Sequence, residues 1–241
     1  MSPGRGGVGR IIALLLAALV FLGLVGLGLW QMQRLAWKTD LIARTEARLA
    51  AAPVAPPTEA EFAEMEAPEY LRLALTGQYL EAPLTLVQAL TVQGRGYWVM
   101  SPFISYDGQF ILINRGFVPD AARDNVPPPP AGEQQLTGLL RLTQPDGAFL
   151  RSNDPGAGRW FSRDVAAIAG SLDLPPVAPW FLDLGAPGMA AEPGQLPVPG
   201  LTVVQFRNSH LGYAAIWFTL AALWAFGIFM LARPDRSRAV L

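Results

Sequence analysis

The 241-residue chain contains no cysteine, one histidine (His210) and one lysine (Lys38). Without cysteine there is no disulfide, no zinc–thiolate site, no iron–sulfur cluster and no redox dithiol. One histidine excludes a multi-histidine metal site and leaves a nucleophile–histidine–acid triad a single base. Copper delivery is disfavoured too, because neither cysteine nor a methionine–histidine cluster is present to hold Cu(I). Positive charge in excess is also missing: 18 basic against 19 acidic residues give a net charge of −1. A nucleic-acid binder needs a basic face to neutralise phosphates, so that class is excluded. There is no P-loop, GxSxG or HExxH pattern. The carboxylates are scattered, and the one cluster (Glu59, Glu61, Glu64, Glu66, Glu69) lies in a proline-flanked stretch that reads as a solvated face or linker. Nothing announces an enzyme. A membrane-anchored hydrolase would have to use His210 as its base, and no motif surrounds it.

What the chain has in plenty is apolar residues, 51% of the total, concentrated in two blocks. Ile11–Gln33 carries no charge, and neither does Leu211–Ala232. Twenty helical residues rise about 30 Å, the hydrocarbon thickness of a bilayer. Arg5 and Arg10 would suit a secretory signal peptide, but the apolar run exceeds the usual ~7–15 residues and no A-x-A-like cleavage site follows. The block reads as an uncleaved signal anchor. Arg233, Arg236 and Arg238 follow the second span while only Arg207 closely precedes it, which places both tails in the cytoplasm. The first span points the other way, with Arg5 and Arg10 before it and Arg34, Lys38, Arg44 and Arg48 after it. The second span decides, because a long translocated domain weakens the charge rule. The expected division is a cytoplasmic tail 1–10, transmembrane helix 11–33, extracytoplasmic domain 34–210, transmembrane helix 211–232 and cytoplasmic tail 233–241. The 177 residues from Arg34 to His210 hold 13 basic and 18 acidic side chains, which suits an aqueous domain. Ten residues before the first span are too few for a mitochondrial presequence, so the expectation is a bacterial inner membrane with the domain in the periplasm.

Arg34–Ala52 is rich in helix formers and extends the first span until Pro53, Pro56 and Pro57 end it. Beyond it, segments of strand character alternate with turn residues: Tyr70–Leu75, Leu84–Val92, Tyr97–Ile104, Gln109–Phe117, Gln135–Leu142 and Leu201–Arg207. The Pro127–Pro130 run and the Pro187–Gly200 stretch read as loops. One short helix fits Arg163–Ser171, with Ser162 as its N-cap. The fold class that follows is two transmembrane α-helices flanking a mainly antiparallel β domain, barrel- or sandwich-like, with minor helix.

The most informative stretch is Phe206–Trp224. At 100° per residue, His210, Trp217 and Trp224 share a stripe of the second span, with Tyr213 beside them and the small Ala214 and Ala221 at its border. Such a stripe beneath one imidazole suits a flat apolar macrocycle whose iron the histidine ligates, with Arg207 near its acidic edge groups. The plainer alternative is a polar residue tolerated at an interface above aromatics that pack on another helix. Trp30, Arg34 and Trp37 share a face at the exit of the first span. Either they are an aromatic belt with a snorkelling cation, or Trp30 and Arg34 complete a pocket opposite His210.

Six blocks in order, set between two spans, resemble the Surfeit locus protein family, assembly factors for haem-copper cytochrome c oxidase. The first runs from Gly28 to Lys38 (GLWQMQRLAWK). The second is Gly94–Pro102 (GRGYWVMSP) and the third Ile111–Pro119 (ILINRGFVP). Gly138–Arg141 and Trp160–Asp164 follow, and the last is Pro197–Gly200 with Asn208–Phe218 (NSHLGYAAIWF). Phe117 stands where tryptophan is common in the family, and Ser101 where threonine is common.

The resemblance implies a non-enzymatic membrane protein that binds haem a as cargo and assists its insertion into oxidase subunit I. His210 occupies the position of the family's proposed haem ligand. Neutral His210 would ligate the iron of haem a arriving from haem a synthase. Tyr213, Trp217 and Trp30 would pack on the macrocycle and its tail, and Arg207 or Arg34 would pair with propionates. The alternative is a scaffold that joins haem synthase and oxidase subunits without binding haem, using outer faces of the β domain at exposed positions near Arg115 and Arg163.

Overall fold

The computed structural model describes residues 5–145, 147, 151–187, 189, 192, 194–202, 206 and 208–233. It divides into two compact units, one comprising Met1–Arg44 with Phe206–Leu241 and the other Thr45–Gln205.

The first unit is built on two helices, α1 (Arg5–Ala50) and α4 (His210–Ala232). Both are long and apolar enough to cross a membrane. The charge-free block 11–33 lies wholly inside α1, and the helical extension runs on to Ala50, three residues short of Pro53. Its last turn is closed by side chains: Arg48 donates to the Ala67 carbonyl, and Arg72 Nη1 donates to Ala51 O at 3.1 Å. α4 starts at His210 and ends at Ala232, matching the second block.

The second unit is a sheet of six strands: β1 (Arg72–Tyr79), β2 (Thr85–Thr91), β3 (Gly94–Ser105), β4 (Phe110–Pro119), β5 (Glu133–Leu142) and β6 (Val177–Leu184). Neighbours run β1-β5-β6-β4-β3-β2, and β1 pairs with β3 as well. That extra pairing, Gly77 with Ser105 through Tyr79 with Phe103, closes a five-stranded barrel and leaves β2 as a hairpin flap on the N-terminal part of β3. Closure brings backbones together where a Cβ would not fit: at Gly77 it would lie 2.1 Å from Ile104 O. The pairings are antiparallel except β4 with β6, which is parallel. An antiparallel barrel is thus the right class with one parallel seam.

Two apolar layers hold the unit together. Inside the barrel pack Leu73, Leu75, Phe103, Ile111, Ile113, Leu140, Trp180 and Leu182. On the outer face, Leu112 of β4 and Phe181 of β6 pack with Val87, Met100 and Trp160 against α3 (Val165–Ser171). β4 is therefore buried on both faces, Ile111 and Ile113 inward and Leu112 outward.

Five of the six expected strands form, and the exceptions have physical causes. Leu201, Thr202 and Phe206 lie in no strand, and the rest of that segment (203–205 and 207) is outside the described residues. β6 was hidden by Pro179, which looks like a strand breaker. It sits where the β4–β6 register slips between Phe110/Val177 and Leu112/Phe181, so its missing N–H costs no ladder bond. The short helix begins at Val165 under an Asp164 cap, whose carboxylate accepts from Ala167 N at 3.1 Å. Ser162 cannot cap it, because its Oγ already accepts from Gly147 N and Asn153 Nδ2. The glutamate-rich linker contains a helix as well, α2 (Glu59–Glu64), started by a reciprocal Thr58–Glu61 capping box. Those Thr58 hydrogen bonds hold the Glu61 carboxyl below its ordinary pKa.

Candidate functional site

α1 and α4 run antiparallel, and their facing positions repeat at alternating steps of four and three. Less exposed residues in this spacing are Leu24, Gly28, Gln31, Leu35 and Lys38 on α1, and His210, Ala214, Trp217 and Ala221 on α4. This is the heptad spacing of a two-helix seam, with small residues where the backbones approach. Ala214 and Ala221 are buried, and a Cβ at Gly28 would stand 2.6 Å from the Phe218 ring. Toward the other end of the pair, Trp224 Nε1 donates to Ala17 O at 2.9 Å.

The seam carries a polar pair at the start of α4. His210 Nδ1 donates to Gln31 Oε1 at 2.7 Å, and Gln31 is only 9% exposed. An amide oxygen can only accept, so Nδ1 carries a proton, and in the neutral ring Nε2 keeps its lone pair. One residue pair further out, Asn208 Nδ2 reaches Thr39 Oγ1 at 3.5 Å, the long limit for a hydrogen bond. Asn208 Oδ1 is buried with no protein partner among the described residues.

Around this pair the predicted residues fall into three groups. Trp217, half-buried, shares the seam with His210, and Tyr213 stands exposed at its edge. Trp30 and Arg34 do not lie on the seam. Trp30 is 52% exposed and Arg34 is exposed, its guanidinium stacked 4.2 Å over the Trp37 ring. On α1 Trp30 precedes Gln31 by one residue, about 100° of arc, away from α4. Arg207 is outside the described residues.

What sequence reasoning missed is Gln31 as a partner of the histidine. An uncharged amide inside an apolar block carries no signal alone; its place in the series 24, 28, 31, 35 would have marked it.

The second unit holds a different polar centre on the outer face of β4, β5 and β6. Asp183 is 2% exposed and accepts from Asn114 Nδ2 at 2.7 Å, Arg141 Nη1 at 3.1 Å, Arg163 Nη1 at 3.1 Å and Thr202 Oγ1 at 2.8 Å. Glu69 pairs with Arg141 Nε at 3.0 Å, so two carboxylates balance two guanidiniums. Arg163 also lies over Phe181 and Trp98. Burial pushes its pKa down, against the pull of Asp183, whereas for Arg141 burial is outweighed by Asp183, Glu69 and Tyr70, which raise it. Every donor aimed at Asp183 is consumed within the protein, which is the character of a structural centre.

Arg115 and Arg163, near which the scaffold alternative would dock, are themselves buried. Arg115 is 7% exposed, its guanidinium donating to Pro127 O and Pro128 O at 3.0 Å each, and Arg163 is 8% exposed. Their charges are satisfied by the polyproline run and by Asp183, which let both side chains be buried. Next to Arg115, Gly116 has φ +131° and admits the backbone of the Pro197–Gly200 segment, with Phe117 N donating to Val198 O at 2.9 Å and Val198 N to Phe117 O at 2.8 Å.

Comparison with known proteins falls on the same stretch of chain. Residues 18–222 match the SURF1 family. The chain is 35% identical over 224 residues to the SURF1-like protein of Monosiga brevicollis, covering 83% of this chain and 82% of that protein. It is 34% identical to Surfeit locus protein 1 of Homo sapiens, over 82% of this chain and 70% of that protein, and 34% identical to that of Rattus norvegicus, over 82% and 68%.

Proposed function

From the premise that the chain belongs to the SURF1 family, we propose that it is a membrane-bound assembly factor for haem-copper cytochrome c oxidase that binds haem a as cargo and helps insert it into subunit I. The observation that carries the reading is the only imidazole of the chain, set at the first residue of α4 with its Nδ1–H engaged by Gln31 and its Nε2 without a partner among the described residues. Histidines that ligate metals have the same arrangement, one nitrogen held by an acceptor and the other bare. Among the described residues no three His, Asp or Glu side chains come together in a metal-sized group. A metal held here must bring most of its own ligands, as a porphyrin does. Trp217 and Tyr213 give flat apolar surface beside the imidazole, and one protein ligand suits a cargo that must be released.

In this reading α1 and α4 are the spans of a bacterial inner membrane, both termini are cytoplasmic, and the β unit lies in the periplasm. Haem a synthase donates the cargo and subunit I receives it. Arg34 and Arg207 are the cations available to propionates near the exit of the spans, and Trp30 offers ring surface on the outer side of α1. The protein performs no bond chemistry. It binds, orients and shields.

The test is an absorption spectrum of the protein purified from cells that make haem a, beside His210→Ala. The expected result is stoichiometric haem a that is lost in the variant, together with impaired oxidase maturation and unchanged membrane content of the protein. Haem retained in the variant would move the ligand elsewhere. No haem in either protein, with synthase or oxidase subunits still copurifying, would replace the reading by that of a scaffold.

A further inference from the structure

The imidazole of His210 could be held by any polar neighbour; what is unusual is which one holds it. Gln31 lies inside the apolar block of α1, is almost fully buried, and presents an oxygen rather than an N–H to the ring. Water is kept from competing for Nδ1, and the acceptor carries no charge that would need a counterion in an apolar setting. Nδ1 and Nε2 lie on opposite edges of the imidazole ring, so a proton fixed on Nδ1 against α1 turns the Nε2 lone pair away from Gln31. His210 itself is only half-buried, so that edge is reachable.

We propose that Gln31 is the positioning residue for His210: it selects the Nδ1–H tautomer and so prepares Nε2 as the metal-ligating atom before any cargo arrives. This rests on the reading of His210 as the haem ligand, but its first consequence concerns the free protein. An interhelical hydrogen bond that served only to hold α1 to α4 would be indifferent to the state of Nε2. A positioning bond is not. It raises the electron-donating power of the opposite nitrogen and fixes the ring plane, and loss of such a partner typically costs about 10–100-fold in metal affinity.

Because His210 is the only histidine, uniform labelling with 15N-histidine gives a single imidazole to observe. The full chain would be studied in lipid nanodiscs, without haem, at a pH where the ring is neutral. The wild type should show a protonated Nδ1 and a bare Nε2. Gln31→Leu, similar in size and apolar, should shift the ring toward the Nε2–H form. Gln31→Glu, which restores an acceptor, should return the wild-type pattern. Titration with haem should then show Gln31→Leu binding about 10–100-fold more weakly than wild type, with Gln31→Glu rescued. A wild-type ring protonated on Nε2 overturns the proposal, and so does Gln31→Leu with unaltered tautomer or unaltered haem affinity. If haem fails to bind even the wild type, the haem reading falls, while the 15N spectra still decide whether Gln31 sets the tautomer. Unchanged thermal unfolding of the β unit in each variant shows that folding is not the cause.

Discussion

The molecule holds two polar arrangements that sequence motifs bring together, and they are opposites. Around Asp183, an aspartate, two arginines, an asparagine and a threonine from five chain segments saturate one another, and the carboxylate is 2% exposed. Between α1 and α4, a single hydrogen bond joins His210 to Gln31 and leaves the other ring nitrogen without a partner among the described residues. A saturated centre has nothing to offer a ligand, and breaking it exposes buried charge. An unsaturated one contributes little to stability and keeps a donor atom free. Residues of the same family blocks thus build a saturated centre in one unit and an unsaturated pair in the other: Asn114, Arg141 and Arg163 belong to the first, His210 and Gln31 to the second.

The sharpest way to break this contrast is Asp183→Ala. It strands the buried Arg163 guanidinium and leaves Arg141 with Glu69 alone, and removing one partner of a buried ion pair costs about 3–5 kcal/mol. The apparent melting temperature of the β unit should drop by roughly 10 °C or more, whereas His210→Ala should leave it within a degree or two. Equal losses in the two variants would erase the distinction.

Glycine substitutions give the next largest effect. At Gly116, φ is +131° and a Cβ would stand 2.4 Å from Val198 O, a backbone atom held in a two-way bridge with Phe117. Neither side can yield without breaking that bridge, so Gly116→Ala should cost about 2–4 kcal/mol. At Gly28 the obstruction is the Phe218 ring, which can turn, and alanine is the better helix former by about 1 kcal/mol. Gly28→Ala should be close to neutral for unfolding. Thermal scans of the two variants read the difference, and a Gly28→Ala loss as large as that of Gly116→Ala would show that the helix seam is as tightly constrained as the barrel.

How much of this could be read from the chain depended on whether the signal was local. β1 to β5 were legible because each is a short run of strand-forming residues and turns punctuate them. α1 and α4 were legible because a charge-free block needs no partner to be recognised. β6 was not, since Pro179 masks it until the bulge that accommodates the ring is known. The Asp183 centre was invisible, because its partners lie 69, 42 and 20 residues away in sequence and each looks like a solvent-facing polar residue on its own. The burial of Arg115 and Arg163 was invisible for the same reason: a charge reads as surface until its partners are found. His210 stood out by being alone at the mouth of a span. Gln31 could be paired with it only once the register of two antiparallel helices was fixed.

The smallest effect sharpens the contrast from the side of the barrel. Tyr79 packs edge-on to Phe103 at 5.3 Å between ring centres, at the closure of β1 on β3. Burial raises its phenol to about 12, with Arg115, 6.0 Å from the ring centre, pulling the other way. The folded value lies above the unfolded one near 10, so the unfolded chain loses this proton first as pH rises. Stability from this group is complete below about pH 10 and is lost progressively toward pH 12, by at most about 2–3 kcal/mol. Tyr70 and Tyr106 are also shifted upward, Tyr70 by burial and Tyr106 by its hydrogen bond to Glu133, so the alkaline limb of the wild type is a sum. Subtracting the pH profile of Tyr79→Phe isolates the share of Tyr79. A difference curve that falls between about pH 10 and 12 ties the alkaline sensitivity to barrel closure. A flat difference would mean that the phenol meets water freely in solution, and that the β1–β3 seam is looser than the packing of Tyr79 on Phe103 requires.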